Sequence, residues 1–600
     1  MSQIQKLKHN YPFNISFDFQ PKIYCQNEET QIWFNRALFW FYSFNHEECI
    51  RCCDQGILIE EKCAMLYFLK SIAVGVNYNN CPELLEKQQA SLQFQAWQKA
   101  DQYKNKTQEL ENDLINALKY RVGDGIKLEH KQNNIQFSQQ MQNILENYKN
   151  KVDKNTFNFI SEITAESIML LRPWDLWVQH DQIENNLKQG DPYENTLLIS
   201  KIIENGLQKD SKHPGLRHLW IHLYELSSEP EKALDENFSQ KLRDIVPESG
   251  HLCHMPSHIE ILCGKYQQSI ESNLKGIAAD DKYFEYIKNE KLQEICFYML
   301  YRCHNLHFLV YSALFAAKKE IALQYADKMT KLVTIDYLKD TSFFQPMGAD
   351  WMEGFISVKI HVLIRFGLWE QLISDEPFGK EILPIQQILE NQEFYSATLA
   401  YIYYGKGIAY AVLAGKNEKN YETYILQAND YLQKFKDQKQ KVPSSRMIFN
   451  NSQHDILKIA EQMLIGEIAY REQNYQKSFE ALKLSVNLDD NLPYDEPWGW
   501  MVPTRHAYAA LMLEQGIQTK NNDLVSQAMK IYKEDLGEGM RRCVQHKGNV
   551  WSLSGLNMCY KYFKMQKEID ELKPELEQKL SEADIQINSS CLCSLRKNSL

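Results

Sequence analysis

Apolar positions recur along most of this chain at spacings of three and four, the period of one buried helical face. In "TQIWFNRALFWFYSFNHEECIRCCDQGILIEE", which starts at Thr30, Trp33 and Ala37 lie on such a face. The pattern breaks near Phe44-Asn45, and a second amphipathic run carries Cys49, Cys53 and Gly56. The segment "EQMLIGEIAYREQNYQKSFEALKLSVNLDD" repeats the scheme. Gly466 takes the place of Ala37, Tyr475 opens the second run, and Ser478 and Leu482 replace Cys49 and Cys53. In "SHIEILCGKYQQSIESNLKGIAAD" the equivalents are Gly264, Tyr266, Ser269 and Gly276. Further pairs begin near His213, Tyr301, Trp351, Ala400 and Trp498.

Two short helices in about 34 residues, with a small residue where they cross, form the tetratricopeptide pattern. One such pair cannot bury its apolar face alone, so pairs must stack on their neighbours. The expected fold is all-α: a right-handed α-solenoid of tetratricopeptide-like helical hairpins, its inner wall made by the first helix of each pair. Only 24 Gly and 17 Pro in 600 residues agree, because turn-dense β folds need more. The expected organisation is a lead-in over 1–28, N-terminal hairpins over 29–180, histidine-rich hairpins over 181–375, C-terminal hairpins over 376–582 and a loose tail over 583–600. Linkers and irregular stretches fall near 77–90, 120–135 and 180–195, and the polar runs over 416–445 and after 583 read as loops or loose ends.

A formal charge of −11 gives no electrostatic reason to bind nucleic acid or an anionic membrane. The opening "MSQIQKLKHNYPFN" lacks the apolar core of a signal peptide, and "LHFLVYSALFAA" is too short to span a bilayer. Fourteen cysteines without a secretory signal point to reduced thiols and a cytoplasmic protein. The terminal "CLCSLRKNSL" places its cysteines too far from the end for prenylation.

Nine of the sixteen histidines lie between 213 and 361, about a quarter of the chain. The pairs can be aligned on the residue opening each second helix: Ala233, Ser269, Ala322 and Leu372. His218, His254 and His307 then share the fifth position of the first helix, His222, His258 and His361 the ninth, and His251 and His304 the second. His506 also takes the fifth place. These positions form one stripe, opposite the residues that pack inside each pair, and so face the concave groove. His218, His222 and Glu225 stand at i, i+4 and i+7 on one helix. Pro256 interrupts the next, which must start late or kink. Glu260 faces inward there and needs a partner.

Two readings of the groove follow. In the first, the protein is a scaffold or adaptor whose groove, lined by His218, His222, Glu225, His251, His254, His258, His304, His307 and His361, binds a partner protein segment or peptide. In the second, it is a metal-dependent protein or enzyme of hydrolase or oxygenase class. Imidazoles one turn apart can share zinc or another transition metal, with His218, His222 and His258 as ligands and His254 or Glu225 as the fourth. Neither the reaction nor the oligomeric state can be read from the sequence.

"CIRCCDQGI" puts Cys49 and Cys53 at packing positions, so its thiols read as core. "RPWDLW" and "LPYDEPWGWMVPTRH" read as rigid, packed loops beside the groove. No phosphate loop, nucleophile elbow or kinase motif occurs. The motifs "FNHEECIRCC", "HPGLRHLWIHLYE", "GHLCHMPSHIEILCGKY", "YRCHNLHFLVY" and "LPYDEPWGWM" resemble a family of large tetratricopeptide-repeat proteins of bacteria, fungi and protists, over most of residues 28–560. A weaker likeness, through "CHNLHF" and the HxxxH segments, is to tetratricopeptide repeat protein 38. The resemblance implies the helical-repeat fold and points to the motifs at His213, His218, His222, His251, His254, His258, His304 and His307. It implies no activity.

Overall fold

A computed structural model describes residues 7, 10–15, 18–79, 87–125, 130–179, 187–234, 242–342, 344 and 346–594. Parts of the irregular stretches expected near 77–90, 120–135 and 180–195, and the end of the expected tail, lie outside the described residues. The fold is all-α. Among the described residues the only strands are Met447–Ile448 and Asn451–Ser452, an antiparallel pair of two residues each. The chain divides into two compact units, Met1–Ile259 with Leu274–Tyr298, and Glu260–Asn273 with Met299–Leu600.

Helical hairpins recur in both units, and seven of them share one closure. The residue ending the first helix's turn adopts the left-handed conformation: Phe44, Gly264, Ala317, Gly367, Gln473, Lys520 and Lys564, with φ between 52° and 70°. The next backbone N–H reaches back five residues to a helical carbonyl, Asn45 to Trp40, Lys265 to Glu260, Lys318 to Ala313, Leu368 to Leu363, Asn474 to Ala469, Asn521 to Gly516 and Met565 to Tyr560, at 2.8–3.0 Å. This is the Schellman closure, which satisfies carbonyls that the helix end would otherwise leave bare. Three of the same turns also supply the next helix's N-cap: Asn45, Asn474 and Asn521 accept from Glu48, Lys477 and Leu524 backbone N–H groups.

In the first unit, helix Glu28–Tyr42 pairs with His46–Ile59. Phe34, Leu38, Trp40, Cys49, Cys52 and Cys53 are buried between and behind them, so these thiols are core. Helix Lys154–Met169 pairs with Thr196–Lys209, followed by Pro214–Tyr224. In the second unit, Gln453–Arg471 pairs with Tyr475–Asp490 and Thr504–Gln518 with Asn522–Asp535. A Cβ on Gly466 would lie 2.6 Å from Leu482, which is why a small residue stands at this crossing. Arg446 crosses between the buried carboxylates of Asp350 and Glu353 and pairs with one oxygen of each.

Two departures from the ideal repeat position the site. After Pro214–Tyr224 the second helix expected from Ala233 opens as a 3-10 turn, Pro230–Leu234, and residues 235–241 lie outside the described residues. At Pro256, which has no N–H to give, the helix splits into Gly250–His254 and Pro256–Leu262. Glu260 has its partner: its Oε2 accepts from Ser272 Oγ at 2.8 Å. At the far end Ser590 is buried and its carbonyl accepts from Arg365 at 3.1 Å, while the Cys593 carbonyl accepts from Arg471 at 2.6 Å. Residues 595–600 lie outside the described residues. A disulfide joins Cys591 and Cys593. No helix among the described residues is long and apolar enough to cross a membrane.

Candidate metal centre

Helix Pro214–Tyr224 starts with His213 as its N-cap and Pro214 in its first turn, a conformation proline already favours. One turn along, His218 and His222 stack on the same side, their ring centroids 4.8 Å apart. Glu225 follows at the C-cap. The short helix Gly250–His254, capped by Ser249, brings His251 to His218, and the break at Pro256 lets His258 stand beside His254. The outcome is a closed ring of five imidazoles within the first unit. Successive centroid distances are 4.8 Å for His218–His222, 6.0 Å for His222–His258, 4.7 Å for His258–His254, 6.0 Å for His254–His251 and 4.8 Å for His251–His218. All five, and Glu225, are at most 1% exposed. They are enclosed side chains rather than the lining of an open groove.

Nitrogen by nitrogen, the ring has direction. His218 Nδ1 lies 2.9 Å from the Tyr42 carbonyl, which can only accept, so Nδ1 carries the proton and Nε2 presents a lone pair. His222 Nδ1 lies 2.9 Å from Glu225 Oε1, which fixes its tautomer the same way when Glu225 is ionised. The two Nε2 atoms then face each other at 3.1 Å. His251 Nε2 stands 3.0 Å from His218 Nε2. Ligand atoms of His218, His222 and His251 all lie within 4.8 Å of one another.

On the other side of the ring, His254 Nε2 and His258 Nε2 are 2.8 Å apart, and Ser257 Oγ is 3.2 Å from His254 Nδ1. A proton on His254 Nε2 satisfies that pair as an ordinary N–H···N bond. His258 Nδ1 is 3.0 Å from Glu225 Oε2, at ion-pair distance but off the line of a hydrogen bond. Glu225 therefore serves two imidazoles, one through each oxygen.

Burial holds the His218 and His222 imidazoles well below their ordinary pKa, and the neighbouring imidazoles push in the same direction. A proton is thus a poor bridge between the two facing lone pairs. A transition-metal ion is a good one. Nitrogen ligands at about 2.0–2.1 Å in tetrahedral geometry stand about 3.3 Å apart, close to the 3.1 and 3.0 Å that separate His218 Nε2 from those of His222 and His251. The hydrogen bonds from the remote Nδ1 atoms to a carbonyl and a carboxylate are those that orient metal-binding imidazoles.

Three aromatic side chains wall the ring. Phe44, at the left-handed turn of the first hairpin, packs 4.4 Å from His218 and stacks on His222 and His251. Tyr78 lies 5.0 Å from His222, and Trp174, stacked on Tyr78, meets His222 edge-on at 5.5 Å. Trp174 comes from the "RPWDLW" loop, whose Trp177 donates to the Leu223 carbonyl at 2.6 Å. Tyr42, Phe44 and Tyr78 were not among the residues read from the repeat register. They come from the first hairpins, and register says nothing about contacts across 140–180 residues. The "FNHEEC" motif was the available signal.

The remaining candidates belong to the second unit. His304 packs against Phe308 and Phe449, at 5.7 and 5.2 Å. His307 Nε2 lies 2.9 Å from Met501 Sδ, and His361 meets Trp500 edge-on at 4.7 Å. Burial pushes both down to about 3. His506 donates to Asp535 at 2.9 Å.

No family model matches this chain, and no curated protein matches it. Among solved structures, the chain is similar to the crystal structure of yeast Tom70, with 12% identity over 93% of each chain and a TM-score of 0.26.

Proposed function

We propose that this helical-repeat protein is metal-dependent, holding a transition-metal ion, zinc foremost, on the Nε2 atoms of His218, His222 and His251. One observation carries the reading: two buried imidazoles whose Nδ1 protons are committed to Tyr42 and Glu225 turn their lone pairs on each other at 3.1 Å. Three neutral nitrogens leave coordination open, the hallmark of a catalytic rather than a structural zinc site. An ion held there supplies Lewis acidity at the open position, the chemistry of the hydrolase class. Glu225 holds His222 in its binding tautomer through Oε1. Its second oxygen keeps His258 beside the centre. Phe44, Tyr78 and Trp174 pack against the ligand rings and fix their orientation.

Recognition of a partner segment by the same histidines needs imidazoles that a peptide can reach, and five of them are at most 1% exposed. The test is elemental analysis of purified protein with and without His218→Gln and His222→Gln. One equivalent of metal in the wild type and none in the double variant supports the proposal. Absence of metal in the wild type, with no rise in melting temperature on adding zinc, iron, copper or manganese, would overturn the proposal.

A further inference from the structure

The second unit contains a cleft of about 20 Å³, room for a water or a group of similarly few atoms, since about 10–15 Å³ holds a water. Several polar groups around it are already engaged. Asp495 accepts from Asn451 at 3.0 Å, and Glu496 accepts from the Tyr494 hydroxyl. Tyr266 donates to the Lys547 carbonyl at 2.8 Å, while Lys579 lies over its ring and donates to the Gly264 carbonyl at 3.0 Å. His546 and Tyr311 border the same cleft, and neither His546 Nε2 nor the Tyr311 hydroxyl has a hydrogen-bond partner among the described residues. Both residues flank one ring. Tyr311 stands one turn before Phe315 on helix Tyr298–Phe315 and meets it edge-on at 4.9 Å, and His546 stacks on Phe315 at 5.0 Å.

His546 is oriented from behind. Its Nδ1 lies 2.8 Å from Asp535 Oδ1, and its backbone N–H donates to the Asp535 carbonyl at 2.7 Å. Asp535 is buried, and its Oδ2 accepts from His506 Nε2 at 2.9 Å, Asn549 Nδ2 at 2.9 Å and Ser552 Oγ at 2.6 Å. Ringed by donors, this carboxylate only accepts, so the neutral His546 ring carries its proton on Nδ1 and keeps a lone pair on Nε2. That is the arrangement of a general base. Burial, reinforced by Asp489, Asp535 and Glu496, holds the Tyr311 phenol well above its ordinary range, so it stays a donor. Burial also raises the Cys543 thiol, which is therefore not poised to attack.

Acyl hydrolysis needs a base for the attacking water and a donor for the developing oxyanion. We infer that this cleft hydrolyses esters of short acyl groups, acetyl foremost, with His546 as general base and Tyr311 as oxyanion donor. His546 Nε2 takes a proton from water as the water oxygen bonds to the acyl carbon. The Tyr311 O–H donates to the carbonyl oxygen as that oxygen becomes negative. The ester C–O bond then breaks, and His546 returns its proton to the departing alcohol. No step needs a metal ion, so the inference does not rest on the imidazole ring.

Steady-state hydrolysis of p-nitrophenyl acetate by the full chain, dialysed against a chelator, tests it. The dialysed protein should keep its activity and favour p-nitrophenyl acetate over p-nitrophenyl hexanoate by about tenfold or more. His546→Gln should lower kcat by about 100-fold. Tyr311→Phe should lower kcat by about 100-fold and leave KM unchanged. Melting curves confirm that both variants fold. In His546→Ala, free imidazole should restore part of the lost rate, which a merely structural role would not allow. The inference would be overturned by hydrolysis no faster than that of free imidazole at equal concentration, by loss of activity on metal removal, or by equal rates for the two esters. Full activity in either folded variant, or no rescue by imidazole, would overturn it as well.

Discussion

Glu225→Gln isolates the group on which the metal centre depends. In the wild type one carboxylate accepts from His222 Nδ1 at 2.9 Å and faces His258 Nδ1 at 3.0 Å. Glutamine is nearly isosteric but offers one acceptor and one donor. If its carbonyl keeps His222, its amide N–H points at the His258 Nδ1 proton. If it turns round, His222 must move its proton to Nε2, where it blocks the lone pair needed by the metal. Either way one charge-assisted hydrogen bond, typically about 1.5–3 kcal/mol, becomes a neutral one or disappears. Changes to such outer partners cost about 10–100-fold in metal affinity. At about 1.4 kcal/mol per decade, that is about 1.4–2.7 kcal/mol. Competition titration against a chelator of known affinity measures it, with circular dichroism to confirm an unchanged helical fold. An affinity within twofold of wild type would refute the claim that Glu225 sets the tautomer.

Gly215→Ala should also weaken metal binding by about tenfold in the same titration, an effect of the size seen for outer-shell changes: its Cβ would fall 2.6 Å from Tyr42 and 2.9 Å from Glu162, displacing the residue whose carbonyl holds His218. Unchanged affinity would show that Tyr42 does not position the ligand. Arg446→Met strands the buried carboxylates of Asp350 and Glu353, so chemical denaturation should show a loss of about 3–5 kcal/mol. His361 has its pKa depressed to about 3 by burial, against about 6.5 when unfolded, so the unfolded chain takes up its proton first and stability is lost as pH falls from about 6.5 toward 3. The buried carboxyls of Glu353, raised to about 7, and Asp495, raised to about 8, act in the opposite sense. The readout is therefore a difference: in His361→Gln the slope of unfolding free energy against pH across this window should fall by about 1.4 kcal/mol per unit, and an unaltered slope would contradict a neutral buried imidazole.

Much of the fold is legible in the sequence because it is local. The hairpin register, the crossing at Gly466 and the Schellman turns each depend on residues within one repeat. The turns also show that glycine is not required there, since Phe44, Gln473 and Lys520 adopt the same conformation. The HxxxH pair His218–His222 is legible for the same reason. What the register does not give is which histidines meet. His251 joins His218 because its helix stops at Pro256, and a kink cannot be converted into a direction by counting positions. His254–His258 is a second HxxxH pair and equally legible, whereas the approach of His258 to Glu225 joins two helices and is not. The aromatic walls depend on contacts across most of the first unit. The imidazoles are also more enclosed than a solenoid groove suggests, because Phe44, Tyr78 and the Trp174 loop pack against them.

Diffraction from crystals of the zinc-loaded protein, collected on both sides of the zinc absorption edge, tests the central claim most directly. The account predicts one anomalous peak within about 2.1 Å of the Nε2 atoms of His218, His222 and His251, with Nδ1 of His218 and His222 still bonded to Tyr42 and Glu225. A peak elsewhere, or none among these three imidazoles at full loading, would contradict it.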